Sequence, residues 1–174
     1  HSNTIAVADS EVWKFIQAEA DRQEQHIKRA TGLPIAPLFS ASKMRWLLDA
    51  TVDGHLRAER GGICLGTIDS WLLWNLTAGE AFCCDYSNAS RTMLFNIHTL
   101  QWDEEILTEL DIPRCMLPEP RPSSCFYEWA DPMHFGDGIR IAGAAGDQQA
   151  ALFGQTCFSP GQAKNTYGTS CFLL

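Results

Sequence analysis

Ala142-Gly143-Ala144-Ala145-Gly146-Asp147-Gln148-Gln149, running on into Ala150-Ala151-Leu152-Phe153, is the stretch on which the fold turns. Its small residues let a strand end pack closely and bend sharply into a helix. Ile139 to Ala142 reads as the strand, and Asp147 to Phe153 as a helix that starts directly after Gly143 and Gly146. An acidic side chain at such a start sits beside unpartnered N–H groups and the positive end of the helix dipole. Two readings of Asp147 stay open: it is an N-cap, or it is presented for chemistry. Turns of this kind also hold phosphates, but neither a Walker pattern nor a GxGxxG is present, so spacing alone does not choose.

Working outward, the apolar spacing predicts a helix over 10–31, with Val12, Phe15, Ile16 and Ile27 on one face, Ser10 as its cap and Gly32 as its stop. Ser40 or Ser42 is expected to cap a second helix carrying Met44, Trp46, Leu47 and Leu48. Asp53-Gly54 marks a turn, and a short helix follows over 55–60. Ile63-Cys64-Leu65 reads as a strand feeding a helix through Trp71 to Trp74, capped by Thr67 or Asp69 and closed by Gly79. Phe82-Cys83 and Met93-Leu94-Phe95 read as strands around the polar run 85–92, whose side chains bond back to backbone. Asp103 starts a helix that ends before Pro113. Pro118, Pro120 and Pro122 predict a loop, and 162–166 with 171–174 predict a closing pair of strands. Helices alternating with strands make the chain α/β, or mixed α and β.

The chain has 174 residues, enough to bury a core of its own. A formal charge of −8 with scattered Lys and Arg speaks against nucleic acid or an anionic membrane as partner, and no apolar run is long enough to span a bilayer. The seven cysteines include no CxxC pair, which argues against zinc and for reduced thiols in a cytoplasmic protein. Cys83 and Cys84, on one strand, should point to opposite faces. His26, His55, His98 and His134 show no metal-ligand spacing, and the six tryptophans are expected to pack rather than stack on a sugar.

The runs Asp85-Tyr86-Ser87-Asn88-Ala89-Ser90-Arg91-Thr92-Met93-Leu94-Phe95-Asn96-Ile97, Ala145-Gly146-Asp147-Gln148-Gln149-Ala150-Ala151-Leu152-Phe153-Gly154, Ala163-Lys164-Asn165-Thr166-Tyr167-Gly168-Thr169 and Gly66-Thr67-Ile68-Asp69-Ser70-Trp71-Leu72 resemble segments of the FGGY carbohydrate kinase family. They keep their order and spacing from about Thr31 onward. The resemblance implies part of the N-terminal of two ribonuclease-H-like domains, related to the actin and hexokinase ATPase core. It implies ATP-dependent phosphorylation of a polyol hydroxyl, glycerol to glycerol 3-phosphate first, in a homo-oligomeric parent. It makes Asp147 the base that takes the hydroxyl proton, touching Mg²⁺ indirectly. Gln148 and Phe172 would meet the polyol, and Gly168 and Thr169 the nucleotide phosphates. Outside that resemblance, Asp85 and Arg91 are expected in an ion pair or in turn bonds.

The departures matter as much. The family's phosphate hairpin, its substrate-gripping Arg-Glu pair and its adenine-binding domain are absent, and both ends look cut, so the piece alone is expected to be inactive. Leu38 stands where the glycerol-phosphorylating members place a tyrosine that bonds substrate, which opens the alternative of another polyol or a pentulose. A binding module descended from the kinase is the alternative of a different class.

Overall fold

The computed structural model describes residues 2–168 and 171–174, with residues 2–13, 15 and 16 as backbone only. Helix α1 (Ser2–Thr31) is longer than its periodicity predicts, and Ser10 lies inside it rather than capping it. It stops as expected: Gly32 takes φ +73°, and its N–H donates to the Lys28 carbonyl at 2.9 Å. That left-handed turn is open to glycine and strained for other residues.

Helix α2 (Ser40–Ala50) buries Ala41, Met44 and Leu48, but neither serine caps it. Phe39 occupies the cap position and has no side-chain acceptor to offer; an early amide of the helix, that of Ala41, is satisfied by the Thr92 carbonyl at 3.0 Å instead. Helix α3 (Gly54–Glu59) follows the predicted turn at Asp53, which holds φ +53°. Ile63-Cys64-Leu65 is not a strand; its tie is one bond from the Leu65 N–H to the Met116 carbonyl at 2.9 Å. Helix α4 (Ile68–Leu76) starts after Thr67, again without a side-chain cap, since the Thr67 hydroxyl is engaged by Asp69.

Strand β1 (Cys83–Asp85) divides the interior. Cys84 faces the larger core with Leu94, Phe95, Ile106 and Met116, and Cys83 faces a smaller one with Leu73, Ala81 and Tyr127. This is the opposite-face arrangement a strand dictates. Burial pushes the Cys83 thiol up to about 11 and raises that of Cys84 as well. Each fully buried Leu or Phe on the larger side contributes roughly 2 kcal/mol by leaving water.

Short helix α5 (Tyr86–Ala89) occupies the polar run. The predicted strand at Met93 begins late, as β2 (Phe95–Asn96), because Met93 holds φ +68° and the Leu94 N–H is taken by the Thr92 hydroxyl at 3.1 Å. β2 pairs antiparallel with β3 (Gln101–Trp102). Helix α6 (Glu104–Glu109) starts as predicted, with the Asp103 carboxylate accepting the Ile106 N–H. Arg22 of α1 clamps Glu105 and Glu109 of α6 at 2.9 and 3.0 Å.

The proline stretch is the clearest departure from expectation. Glu119–Arg121 forms β4, parallel to β1 with Cys84 opposite Pro120. Period two resolves the conflict: Glu119 donates its N–H to Phe82 at 3.1 Å, so prolines 118, 120 and 122 fall on the positions that face away from β1. The outward carbonyls of Pro118 and Pro122 accept the Trp102 indole N–H at 2.7 Å and the Tyr127 hydroxyl at 2.8 Å.

Strand β5 (Ser124–Trp129) has no counterpart in the sequence reading; Tyr127 points inward, but exposed Phe126 and Trp129 erase the apolar–polar alternation. After α7 (Pro132–Phe135), it pairs antiparallel with β6 (Arg140–Gly143). Helix α8 (Asp147–Gly154) and the hairpin of β7 (Asn165–Tyr167) with β8 (Cys171–Leu173) complete the described chain. Trp102 packs in the core as expected, whereas Trp46 and Trp71 are mostly exposed.

Candidate functional site

The turn between β6 and α8 is fixed from outside. Asp85, fully buried at the end of β1, caps α5: one oxygen accepts the Asn88 N–H at 2.9 Å and the Asn88 amide at 2.6 Å. The other accepts the Ser87 N–H at 2.8 Å and the hydroxyls of Ser87 and Ser123, each at 2.6 Å. With its proton held by Asp85, the Ser87 hydroxyl offers a lone pair to the Gly146 N–H at 2.7 Å. The Ser123 carbonyl accepts the Ala144 N–H at 3.0 Å. Both sides of the turn are thereby tied to one carboxylate. Burial pushes the Asp85 carboxyl up, but the Ser123, Ser87 and Asn88 hydrogen bonds outweigh it and hold Asp85 below the usual carboxylate range. Asp85 thus makes turn bonds and no ion pair with Arg91.

Asp147 is different. The cap of α8 is Gly146, in extended backbone, and Asp147 is the first helical residue, with an exposed side chain. One oxygen accepts the Gln148 N–H at 2.8 Å, and the other lies 3.3 Å from the Gln148 amide nitrogen. The N-cap reading of Asp147 therefore does not describe this helix.

Asp147, Gln148 and Phe172 line one cavity of about 350 Å³, together with Ser87, Asn88 and Arg91. Asp147 is the carboxylate of that wall, and Arg91 its cation. Arg91 is exposed, with its guanidinium 5.2 Å from the Phe39 ring centroid. Leu38 is 75% exposed in the loop before α2 and does not line this cavity, although its neighbour Phe39 lies under Arg91. Gly168 is exposed in the bend after β7 and does not line the cavity, and Thr169 lies outside the described residues. Sequence reasoning passed over Lys164. It is buried behind the cavity, its ammonium bonded to the Gln148 carbonyl oxygen and the Thr166 hydroxyl. A lone Lys between Ala163 and Asn165 carries no sign of burial. A separate apolar cavity of about 370 Å³ beside Trp71, Trp74 and Phe82 holds no ionisable acid or base except Cys64.

Solved sugar kinases share this architecture. Over 86% of the chain, and 30% of the other, the structure superposes on the glycerol kinase of Plasmodium falciparum solved with ADP, with TM-score 0.80 and 37% identity. Over 92% of the chain and 33% of the other, it superposes on a xylulose kinase from Lactobacillus acidophilus with TM-score 0.74 at 23% identity, a likeness of fold alone. The fold is thus the ribonuclease-H-like α/β type of the actin and hexokinase ATPases. Residues 4–154 match the FGGY family of carbohydrate kinases, N-terminal domain. A glycerol kinase of Agathobacter rectalis is 63% identical over 147 residues, covering 84% of this chain and 30% of that protein. One from Stenotrophomonas maltophilia is 56% identical over 171 residues, covering 94% and 34%. The chain belongs to the FGGY family of carbohydrate kinases, as its motifs imply. It spans about a third of the length of these relatives.

Proposed function

We propose that the full-length protein containing this chain transfers the terminal phosphoryl group of ATP to a hydroxyl of a small polyol, glycerol first. The observation that carries this reading is the placement of Asp147: exposed, relieved of capping by Gly146, and facing a cavity with Gln148 and Phe172. A carboxylate oxygen within reach of a hydroxyl can take its proton as the hydroxyl oxygen attacks the terminal phosphorus and the bond to ADP breaks. Relatives named as glycerol kinases support the choice of acceptor.

Asp147 offers hard oxygen, and no group of three or more His, Cys, Asp or Glu side chains converges among the described residues. That donor set suits Mg²⁺ carried in on the nucleotide phosphates and meeting Asp147 through water, where it would offset phosphate charge. Gly168 and Thr169 are proposed to approach those phosphates. The cytoplasm is the compartment we propose, since Cys83 and Cys84 are buried among packed side chains. No described helix is long and apolar enough to cross a membrane. Thiol titration of freshly isolated protein should find all seven cysteines of this chain free, and a stable set of three disulfides among them would overturn that compartment.

The test is polyol-dependent ADP formation by the full-length protein across glycerol, tetritols and pentuloses; no turnover with any of them sinks the reading. Leu38 supports a second acceptor. Leu38 lies outside the cavity wall of Asp147, so it meets substrate only in the completed full-length site; there a leucine in place of a tyrosine hydroxyl leaves one substrate hydroxyl without a protein partner, a deficit of roughly 1–3 kcal/mol. Leu38→Tyr should then raise kcat/KM for glycerol over larger polyols by about one to two orders of magnitude. An unchanged preference would remove position 38 from the substrate site.

A further inference from the structure

Lys164 is 6% exposed, and its backbone exchanges hydrogen bonds with Leu174 at 2.8 and 3.1 Å, which extends the β7–β8 ladder by one rung. Its ammonium donates to the Gln148 side-chain oxygen at 2.5 Å and to the Thr166 hydroxyl at 2.7 Å. Both acceptors are uncharged, and none of the ion pairs among the described residues includes Lys164. Burying a cation without a counter-charge is costly, and an apolar side chain of the same length could fill the space. What the ammonium adds is direction. It has only donors, so the Gln148 atom that meets it is the carbonyl oxygen. The amide nitrogen is thereby turned to the opposite side, where Asp147 lies 3.3 Å away. One amide N–H faces that carboxylate, and the other is left for the cavity that Gln148 lines.

We propose that Lys164 is a positioning residue that locks Gln148 as a hydrogen-bond donor, so that a substrate hydroxyl accepts from Gln148 while its own proton points to Asp147. The inference rests on the kinase reading above and deepens it. An amide released from Lys164 can turn and present its oxygen, and a hydroxyl that donates to that oxygen withholds its proton from Asp147. Lys164 removes that competing arrangement before substrate arrives.

The test is a double-mutant cycle in the full-length protein, read as the polyol KM beside kcat and the melting temperature. Lys164→Met should raise the polyol KM about tenfold, and Gln148→Ala at least as much. The double variant should be no worse than Gln148→Ala alone, because Lys164 acts only through the amide. A packing role for Lys164 would give effects that multiply, and that result overturns the proposal, as does an unchanged KM in Lys164→Met. Should Lys164→Met not fold, Gln148→Glu decides: it keeps an acceptor for the ammonium but has no N–H, so its polyol KM must rise, and a wild-type KM overturns the proposal. A wild-type protein without polyol-dependent turnover overturns the kinase reading and this inference together. An active wild type with an insensitive Lys164→Met overturns the inference alone.

Discussion

Asp85 and Asp147 each stand where a strand gives way to a helix, yet the chain uses them in opposite ways. Asp85 is buried, and its two oxygens accept five hydrogen bonds from Ser87, Asn88 and Ser123. Asp147 is exposed, leaves the cap to Gly146, and among the described residues has only Gln148 for a partner. A carboxylate fully engaged as a cap has no lone pair left for a substrate proton; one released from capping does. Moving the cap one residue earlier, onto a glycine, is what separates the capping acid from the one we propose as base.

The same isosteric change at the two positions should therefore give opposite results. Asp147→Asn in the full-length protein removes the proposed base, and kcat should fall by about 10²–10⁴. Its melting temperature should barely move, since exposed substitutions shift stability by no more than about 0.5 kcal/mol. Near-wild-type turnover in that variant would erase the distinction between the two acids.

Asp85→Asn places an amide N–H against a backbone N–H whichever way it is turned, and should cost about 2–3 kcal/mol of local stability. Hydrogen exchange at Ser87, Asn88 and Gly146 measures it. The pH dependence has a definite sign. The folded-state pKa of Asp85 is lowered, as is that of Asp103, where burial raises it but bonds from Asn96, Ile106 and His26 prevail. The stability they contribute is fully present above the unfolded-chain value of about 3.9 and drains away as pH falls below it. Protection of those amides should accordingly weaken with acid in the wild type and respond less in Asp85→Asn. Equal acid response in both would show that the Asp85 network does not set it.

The smallest change probes the link between the two regions. Ser87→Ala cuts the bridge from Asp85 to the Gly146 N–H and should cost about 1 kcal/mol, with faster exchange at Gly146. If kcat also falls several-fold, the buried acid positions the reactive one; if kcat holds, the turn needs no such support.

How much of this was legible in the sequence differs between the two acids. Small residues around Asp147 announce a strand turning into a helix, and the motif 145–154 carries a family resemblance that the comparisons bear out. For Asp85, composition left turn bonds and an ion pair both open. What decides between them is Ser123, 38 residues away, and the Ser87 contact with Gly146, 59 residues away. Long-range partners leave no trace in local pattern. Lys164 is hidden for the same reason, since its burial depends on α8 meeting the β7–β8 hairpin. Strand β5 is hidden because Phe126 and Trp129 are apolar on the exposed side, and β4 because proline argues against a strand unless its spacing is noticed.

That spacing in Pro118-Glu119-Pro120-Arg121-Pro122 has a consequence for association between molecules. An open strand edge is a template on which another chain can add by backbone pairing. Here the outward positions of β4 carry no amide hydrogen at all, and two of their three carbonyls are already occupied by Trp102 and Tyr127. The edge can neither donate nor, for the most part, accept. In the folded chain this edge is closed to intermolecular pairing, and the β1–β4 sheet has only its β1 side on which to grow.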